Sequence, residues 1–399
     1  MVTQLARKSA RRVTWLLAAV GVSLVAIAFA TFQWGLYRAT VLIEQRDHAH
    51  ALDWLNVTSS IWPKSACWHY LKARLERRLG NLDASLEELQ AAQRLGWNRV
   101  DLKWEKDLIR VQTGQFNHMQ SSWTELFSRS GSDAPEISQA YVNAALAQFR
   151  IPDAQTVLHA WQGDFPNDPT PWNIEGHIEE AYLNWEQAAK LHEHAMALDA
   201  EDSETLLSLA RCYANLGKQS DVIALLQGRA ELQQSAEAWE LLANAQLALE
   251  GPQASIDMLQ QAPDSVRSTQ SLLKLRARAA LELGQVEAAH ESLKPLLEKE
   301  VSDSEVHFLY GQALQRLGKS KQAVAYLEFA EEGSKQRARL GELHSRVLQE
   351  PDNVDLRFEL AMIYYKYKSR DEGRQWLKHL LQSFPDYQPA RDVLHAESA

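Results

Sequence analysis

The sequence predicts an all-α protein: a right-handed superhelical solenoid of about 9 to 10 antiparallel helix pairs, preceded by one transmembrane helix. Three observations carry that prediction. Turn signatures recur at a nearly fixed interval: Leu79-Gly80-Asn81, Thr113-Gly114-Gln115, Leu216-Gly217-Lys218, Glu250-Gly251-Pro252, Leu283-Gly284-Gln285 and Leu317-Gly318-Lys319. Gly80 to Gly114, Gly217 to Gly251 and Gly284 to Gly318 are each 34 residues, and Gly251 to Gly284 is 33. Between the turns, small residues return at helical spacings, and near the amino terminus 25 residues without a charge separate Arg12 from Arg38.

Residues 1–12 form a basic tail, since Arg7, Lys8, Arg11, Arg12 and Arg38 are the only ionised side chains before Glu44. Residues 13–37 then read as a signal anchor. As a helix they would span roughly 37 Å, enough to cross a hydrocarbon core with some tilt. Trp34 and Tyr37 stand where an interfacial aromatic belt would be, and the preceding cations place the amino terminus in the cytoplasm. The competing reading is cleavage after Ala30, because Ala28-Phe29-Ala30 has the small-x-small form of a signal-peptidase site. Either way the remainder is exported. The expected location is the cell inner membrane, single-pass, with the following residues periplasmic or otherwise extracytoplasmic.

Residues 38–335 read as the solenoid. The clearest unit runs from Pro169 to Asp202, where Trp172, Gly176, Glu179, Leu183, Trp185, Ala188, His192, Ala195 and Leu198 recur on two successive helices. Gly176, Ala188 and Ala195 let the two helices approach closely. From Gly114 to Gly217 is 103 residues, so two units in between lack their glycine, one of them at Phe149-Arg150-Ile151-Pro152. After Gly318 the spacing slips by about 16 residues; residues 336–350, with Leu340, Leu343, Val347 and Leu348 on one face, are expected as an inserted helix. Residues 351–399 follow as a terminal unit and capping helix.

This pattern resembles the tetratricopeptide repeat family. Leu209-Ala210, Leu242-Ala243 and Tyr310-Gly311 stand at its Leu-Gly positions, and Ala188, Ala289 and Ala323 at the first alanine of its second helix. The resemblance covers roughly residues 40 to 395. It implies that the first helix of each unit lines a concave face where peptides lie. By position, that face would carry Asn173 and His177, then Leu207, Arg211 and Asn215, then Glu240 and Asn244, then Lys274 and Arg278. Phe308, Gln312 and Arg316 would follow, and finally Phe358, Met362 and Tyr365. Arg211, Lys274, Arg278 and Arg316 form a cationic stripe there, so the expected partner is a protein or peptide and, more sharply, an acidic segment.

Chemistry is sparse. The closest two glycines are Gly311 and Gly318, which excludes the dinucleotide fingerprint, the P-loop and the nucleophile elbow. No two histidines lie four apart; His48 with His50, and His192 with His194, are two apart and cannot share a metal on a helix. Cys67 and Cys212 are too far apart in a linear stack to be bonded. Net charge is −10, and removing the five amino-terminal cations leaves −15, which excludes nucleic acid as a partner. No catalytic residue, cofactor or metal is expected. The function that fits is a non-enzymatic, membrane-anchored scaffold in cell-envelope assembly or secretion. The alternative is a regulatory or adaptor subunit of an envelope enzyme complex in polysaccharide, lipopolysaccharide or cytochrome maturation.

Overall fold

A computed structural model describes residues 2–61, 64–113, 123–129, 131–298 and 302–396, without the side chains of 2–14, 16–18 and 230. Gly114 and Gln115, residues 397–399 and the side chains of the basic tail therefore lie outside the described residues. All regular structure among the described residues is helical, and the chain forms two compact units, Met1–Ala144 and Ala145–Ala399.

The first unit contains α1 (Val2–Glu44), α2 (His48–Ile61), α3 (Ala66–Arg78), α4 (Leu82–Arg94), α5 (Arg99–Gln112), α6 (Trp123–Ser128) and most of α7 (Ala134–Ala147). Helix α1 runs without a break through the candidate span and becomes the first helix of the first pair. From Phe32 onward its inner stripe is packed: Phe32, Leu36, Ala39 and Ile43 are buried with Leu55, Trp68, Leu71 and Leu75 of α2 and α3. Packing thus begins six residues earlier than a solenoid starting at residue 38. Gly35 permits it, because a Cβ there would lie 2.2 Å from Thr58 Cγ2. Before Phe32, Trp15, Val20, Val22, Leu24, Val25, Ile27 and Phe29 are exposed.

An ion cluster holds α1, α3, α5 and the turn before α7 together. Arg77, with no exposed surface, donates from Nε to Glu105 Oε2 at 2.7 Å and from Nη2 to Asp133 Oδ1 at 2.6 Å. Arg78 reaches Asp133 Oδ1 at 2.7 Å and the Ile43 carbonyl at the end of α1. Arg74 pairs with Glu44 at 2.7 Å and Glu105 at 3.1 Å. Burial disfavours the ionised Asp133 carboxyl, but Arg77, Arg78 and Arg74 outweigh it and hold the group well below the usual carboxylate range.

The second unit opens with α8 (Ile151–Asp164). It continues through the pairs α9 (Thr170–Ala181) with α10 (Trp185–Leu198), α11 (Ser203–Asn215) with α12 (Gln219–Leu226), and α13 (Ala236–Glu250) with α14 (Pro252–Gln261). After the short α15 (Asp264–Arg267) come α16 (Gln270–Glu282) with α17 (Val286–Glu298) and α18 (Ser304–Arg316) with α19 (Ser320–Ala338). Then α20 (Leu340–Gln349) precedes α21 (Val354–Tyr367) with α22 (Arg370–Ser383), and α23 (Gln388–Ala396) closes the unit. Side-chain caps start the first helices: Asp202, Ser235, Asp303 and Asn353 each accept from a backbone N–H of the first turn. The inserted helix begins at Leu340 rather than 336, because α19 continues to Ala338; Leu343 and Val347 supply its buried face.

The turn glycines Gly80, Gly217, Gly251, Gly284 and Gly318 all have φ between 73° and 95°. The units without glycine keep the same left-handed turn with other residues: Phe149 at φ 57° and Leu183 at φ 62°. Arg46, 34 residues before Gly80, does the same at φ 62° and marks the α1–α2 turn as the first of the series. A left-handed conformation costs an L-residue roughly 1–2 kcal/mol. Leu183 is 63% exposed and so contributes little burial in return. Leu183→Gly is therefore expected to stabilise the chain by about 1 kcal/mol, since turn strain exceeds the added chain entropy of glycine. Denaturant unfolding of the purified, detergent-solubilised protein measures it, and a lower midpoint would contradict the strain account.

Candidate inner-face site

Successive first helices of the second unit pack on one another, α11 on α13, α13 on α16 and α16 on α18, whereas the second helices make no comparable mutual packing. The side on which repeats lie closer is the inside of the bend, so the first helices line it. The fifteen residues expected on that face all sit on α9, α11, α13, α16, α18 and α21, and none of them is buried.

They do not form one uniform surface. Asn173, His177 and Arg211 converge, Lys274 and Arg278 form a second centre, and Phe308 lines a cavity. Leu207 is half-buried and packs against the cluster around Leu206, Leu242 and Leu272. Asn215 turns back and donates from Nδ2 to the Arg211 carbonyl at 2.8 Å. Glu240, Asn244 and Gln312 stand half-exposed between the two centres and the cavity. Phe358, Met362 and Tyr365 pack instead against the terminal cluster of Ala361, Leu377, Leu380 and Ala390. There α23 contributes Ala390 to that cluster and Tyr387 meets the Phe358 ring edge-on, 5.5 Å between centroids.

The cationic stripe is paired within the chain. Arg211 holds Glu180 at 2.6 Å on the unit before it and Glu237 at 2.7 Å on the unit after it. Lys274 reaches Asp303 at 3.0 Å and Glu305 at 3.1 Å, and Arg278 also pairs with Glu305. Exposed Arg316 donates to the Leu281 carbonyl at 2.6 Å. These cations therefore bridge one repeat to the next, and the field they offer an acidic ligand is largely cancelled. The sequence could not show this, because the acids lie about 26 to 31 residues away, Glu237 and Asp303 at helix starts and Glu180 in the last turn of α9.

Glu180 escapes the sequence reading, in which His192 is a repeat position and a pair with His194 rather than part of this site. His192 is fully buried on α10; its ring lies over Gly176 of α9, where a Cβ would come within 2.5 Å of it. Its Nδ1 is 2.7 Å from Asn173 Oδ1 and its Nε2 is 2.8 Å from Glu180 Oε1. His177 Nδ1 approaches the same carboxylate oxygen at 3.3 Å. Burial opposes ionisation of Glu180, yet hydrogen bonds from His177 and His192 and the Arg211 charge hold its carboxyl far below the usual range. The available signal was the i,i+3 pair His177 and Glu180 beside a helical glycine, with a histidine on the antiparallel partner.

At the break in the repeat spacing, α18, α19 and α20 leave a cavity of about 860 Å³. Phe308, Leu327, Ala330 and Leu340 give it apolar walls, and Glu305, Glu331, Arg337 and Lys368 carry charge at its edge. Phe308 is 45% exposed into this space.

Residues 274–338 match a family model described as "Tetratricopeptide repeat". No curated protein matches. Among solved structures, the chain is similar to MamA at 23% identity, over 44% of this chain and 96% of that one, with a TM-score of 0.35. It is similar to a chain of the APC/C hetero-tetramer Cut9-Hcn1 at 14% identity, covering 90% of this chain and 82% of that one, TM-score 0.39. A human IFIT1 dimer with m7Gppp-AAAA is matched at 14% identity over 87% of this chain and 89% of that one, TM-score 0.42. The family match spans α16 to α19, two successive helix pairs, and the same turn, cap and small-residue register recurs in the pairs before them. Residues 274–338 are tetratricopeptide repeats, and the helix pairs before them share their register.

Proposed function

We propose that this protein is a non-enzymatic scaffold, held in a cell inner membrane by its amino-terminal helix, that gathers proteins for cell-envelope assembly or secretion on the extracytoplasmic side. The observation that carries the reading is the open apolar surface of α1 from Trp15 to Phe29, continuous with a packed first repeat from Phe32. Among the described residues one helix, over Ala19–Glu44, is long and apolar enough to cross a membrane. A span ending at Thr31 would use about 19 residues from Val13, or about 28 Å, close to the hydrocarbon thickness. Trp34 and Tyr37, both exposed, would then lie at the interface. Because α1 is unbroken, the anchor would present the first packed repeat rigidly rather than on a tether.

Partner capture is assigned to the inner face, with the Phe308 cavity as the place where an apolar side chain of an extended segment seats. Crosslinking pulldown from native membranes, comparing the full chain with Phe308→Arg, tests this: capture should fall at least tenfold while membrane retention after alkaline washing is unchanged. Equal capture by the variant would remove the cavity from the reading. Release of the full chain by alkaline washing would remove the anchor.

A further inference from the structure

We propose that His177, Glu180 and His192 form a binding site for one divalent transition-metal ion of the zinc type on the α9–α10 hairpin. The three side chains place one donor atom each, all within 4.8 Å of one another. They come from two helices: His177 and Glu180 one turn apart on α9, His192 opposite them on α10.

The hydrogen bonding around His192 calls for a cation at this point. In this orientation of the Asn173 amide, Oδ1 accepts from Nδ1 of His192, which leaves Nε2 as the remaining ring nitrogen. That nitrogen faces Glu180 Oε1 at 2.8 Å. In a neutral ring it bears a lone pair, and a lone pair cannot face a carboxylate oxygen without a positive charge between them. His177 Nδ1 points at the same oxygen, so two imidazoles and one carboxylate converge. Either extra protons or one metal ion satisfies all three.

Two features favour the metal. Asn173 holds the non-coordinating nitrogen of His192 and Arg211 holds the second oxygen of Glu180, which is the outer-shell support that fixes metal ligands in place. The local charge also suits a dication. Glu180, Glu237 and Glu204, the last 3.9 Å from His177 Nε2, outnumber the one guanidinium of Arg211. Metal–ligand bonds of about 2.0–2.2 Å put tetrahedral donors roughly 3.3 Å apart. The two histidine donors stand 2.8 and 3.3 Å from Glu180 Oε1, and all three donors lie within 4.8 Å of one another, so small side-chain adjustments bring them to that spacing. Three protein donors leave a fourth position for water, reached past the part-exposed His177 ring. The pair His192 and His194 cannot do this; the partner of His192 is on the neighbouring helix.

The test uses the untagged, detergent-solubilised full chain, dialysed against zinc and then against metal-free buffer at pH 7.5. Retained zinc of about one ion per chain and an upward thermal shift on zinc addition are expected. His177→Gln should weaken zinc binding at least tenfold and abolish the zinc-induced thermal shift, read for each protein against its own metal-free melting temperature. Asn173→Ala should weaken it about tenfold by freeing the His192 ring. Lowering the pH to 5 should release the ion as the imidazoles protonate. Three results would each overturn the assignment: no retained zinc, zinc retained equally by His177→Gln, or nitrogen-15 spectra showing His192 doubly protonated at pH 7.5 with excess zinc present.

Discussion

Arg77→Ala is expected to destabilise the first unit by about 3–5 kcal/mol. Arg77 is fully buried between Glu105 and Asp133, themselves 0% and 5% exposed. Removing the guanidinium leaves two carboxylates in a dry interior with only Arg74 and Arg78 to share. Acid offers an independent check. The folded Asp133 carboxyl is held below its unfolded value of about 4. Its contribution is therefore fully present above pH 4 and is lost as pH falls through that value toward the folded one. Denaturant unfolding at pH 7 should separate the wild type from Arg77→Ala widely, and the gap should narrow progressively as pH is lowered below 4, without closing at pH 3. A gap that stays constant with pH would mean that packing, not charge, makes Arg77 matter.

That cluster also explains where the sequence stops being legible. Period and turn position could be read from six glycines, because a left-handed residue between paired helices leaves a local mark. Arg46, Phe149 and Leu183 hold the same conformation with no such mark, and only the arithmetic of the interval betrayed two of them. Polar partnerships were harder still. Arg77, Glu105 and Asp133 are 28 and 56 residues apart, and Arg211 meets acids on two different repeats. Residue type announces that a cation exists but not that stacking has already supplied its counter-ion. The inner face was legible as a set of positions; its division into a histidine centre, bridging ion pairs and an apolar cavity depended on distances that periodicity does not contain. The slip of about 16 residues after Gly318 was visible, yet the longer α19 that absorbs part of it was not.

The terminal module yields the second large effect, and its sign separates two physical accounts. Gly373 on α22 occupies the register of Ala188, Ala289 and Ala323, five residues after the turn position, and those alanines are fully buried without strain. By helix propensity alone, Gly373→Ala should stabilise α22 by about 1 kcal/mol. The packing predicts the reverse. A Cβ at Gly373 would lie 2.4 Å from both Cα and N of Tyr365, and backbone atoms cannot turn aside as a side chain would. Helices α21 and α22 would have to separate, at a cost of about 3 kcal/mol, the upper end for overpacking. Separation would reach further than the pair. Trp376 on α22 stacks on Phe149 at 6.2 Å, and Arg357 on α21 lies over the same ring at 4.7 Å, so the first turn of the second unit is held against its last helices. Gly373→Ala should therefore lower the melting temperature and also expose the Phe149 turn to limited proteolysis. A variant that melts higher than the wild type would show that the two helices have room the structure denies them.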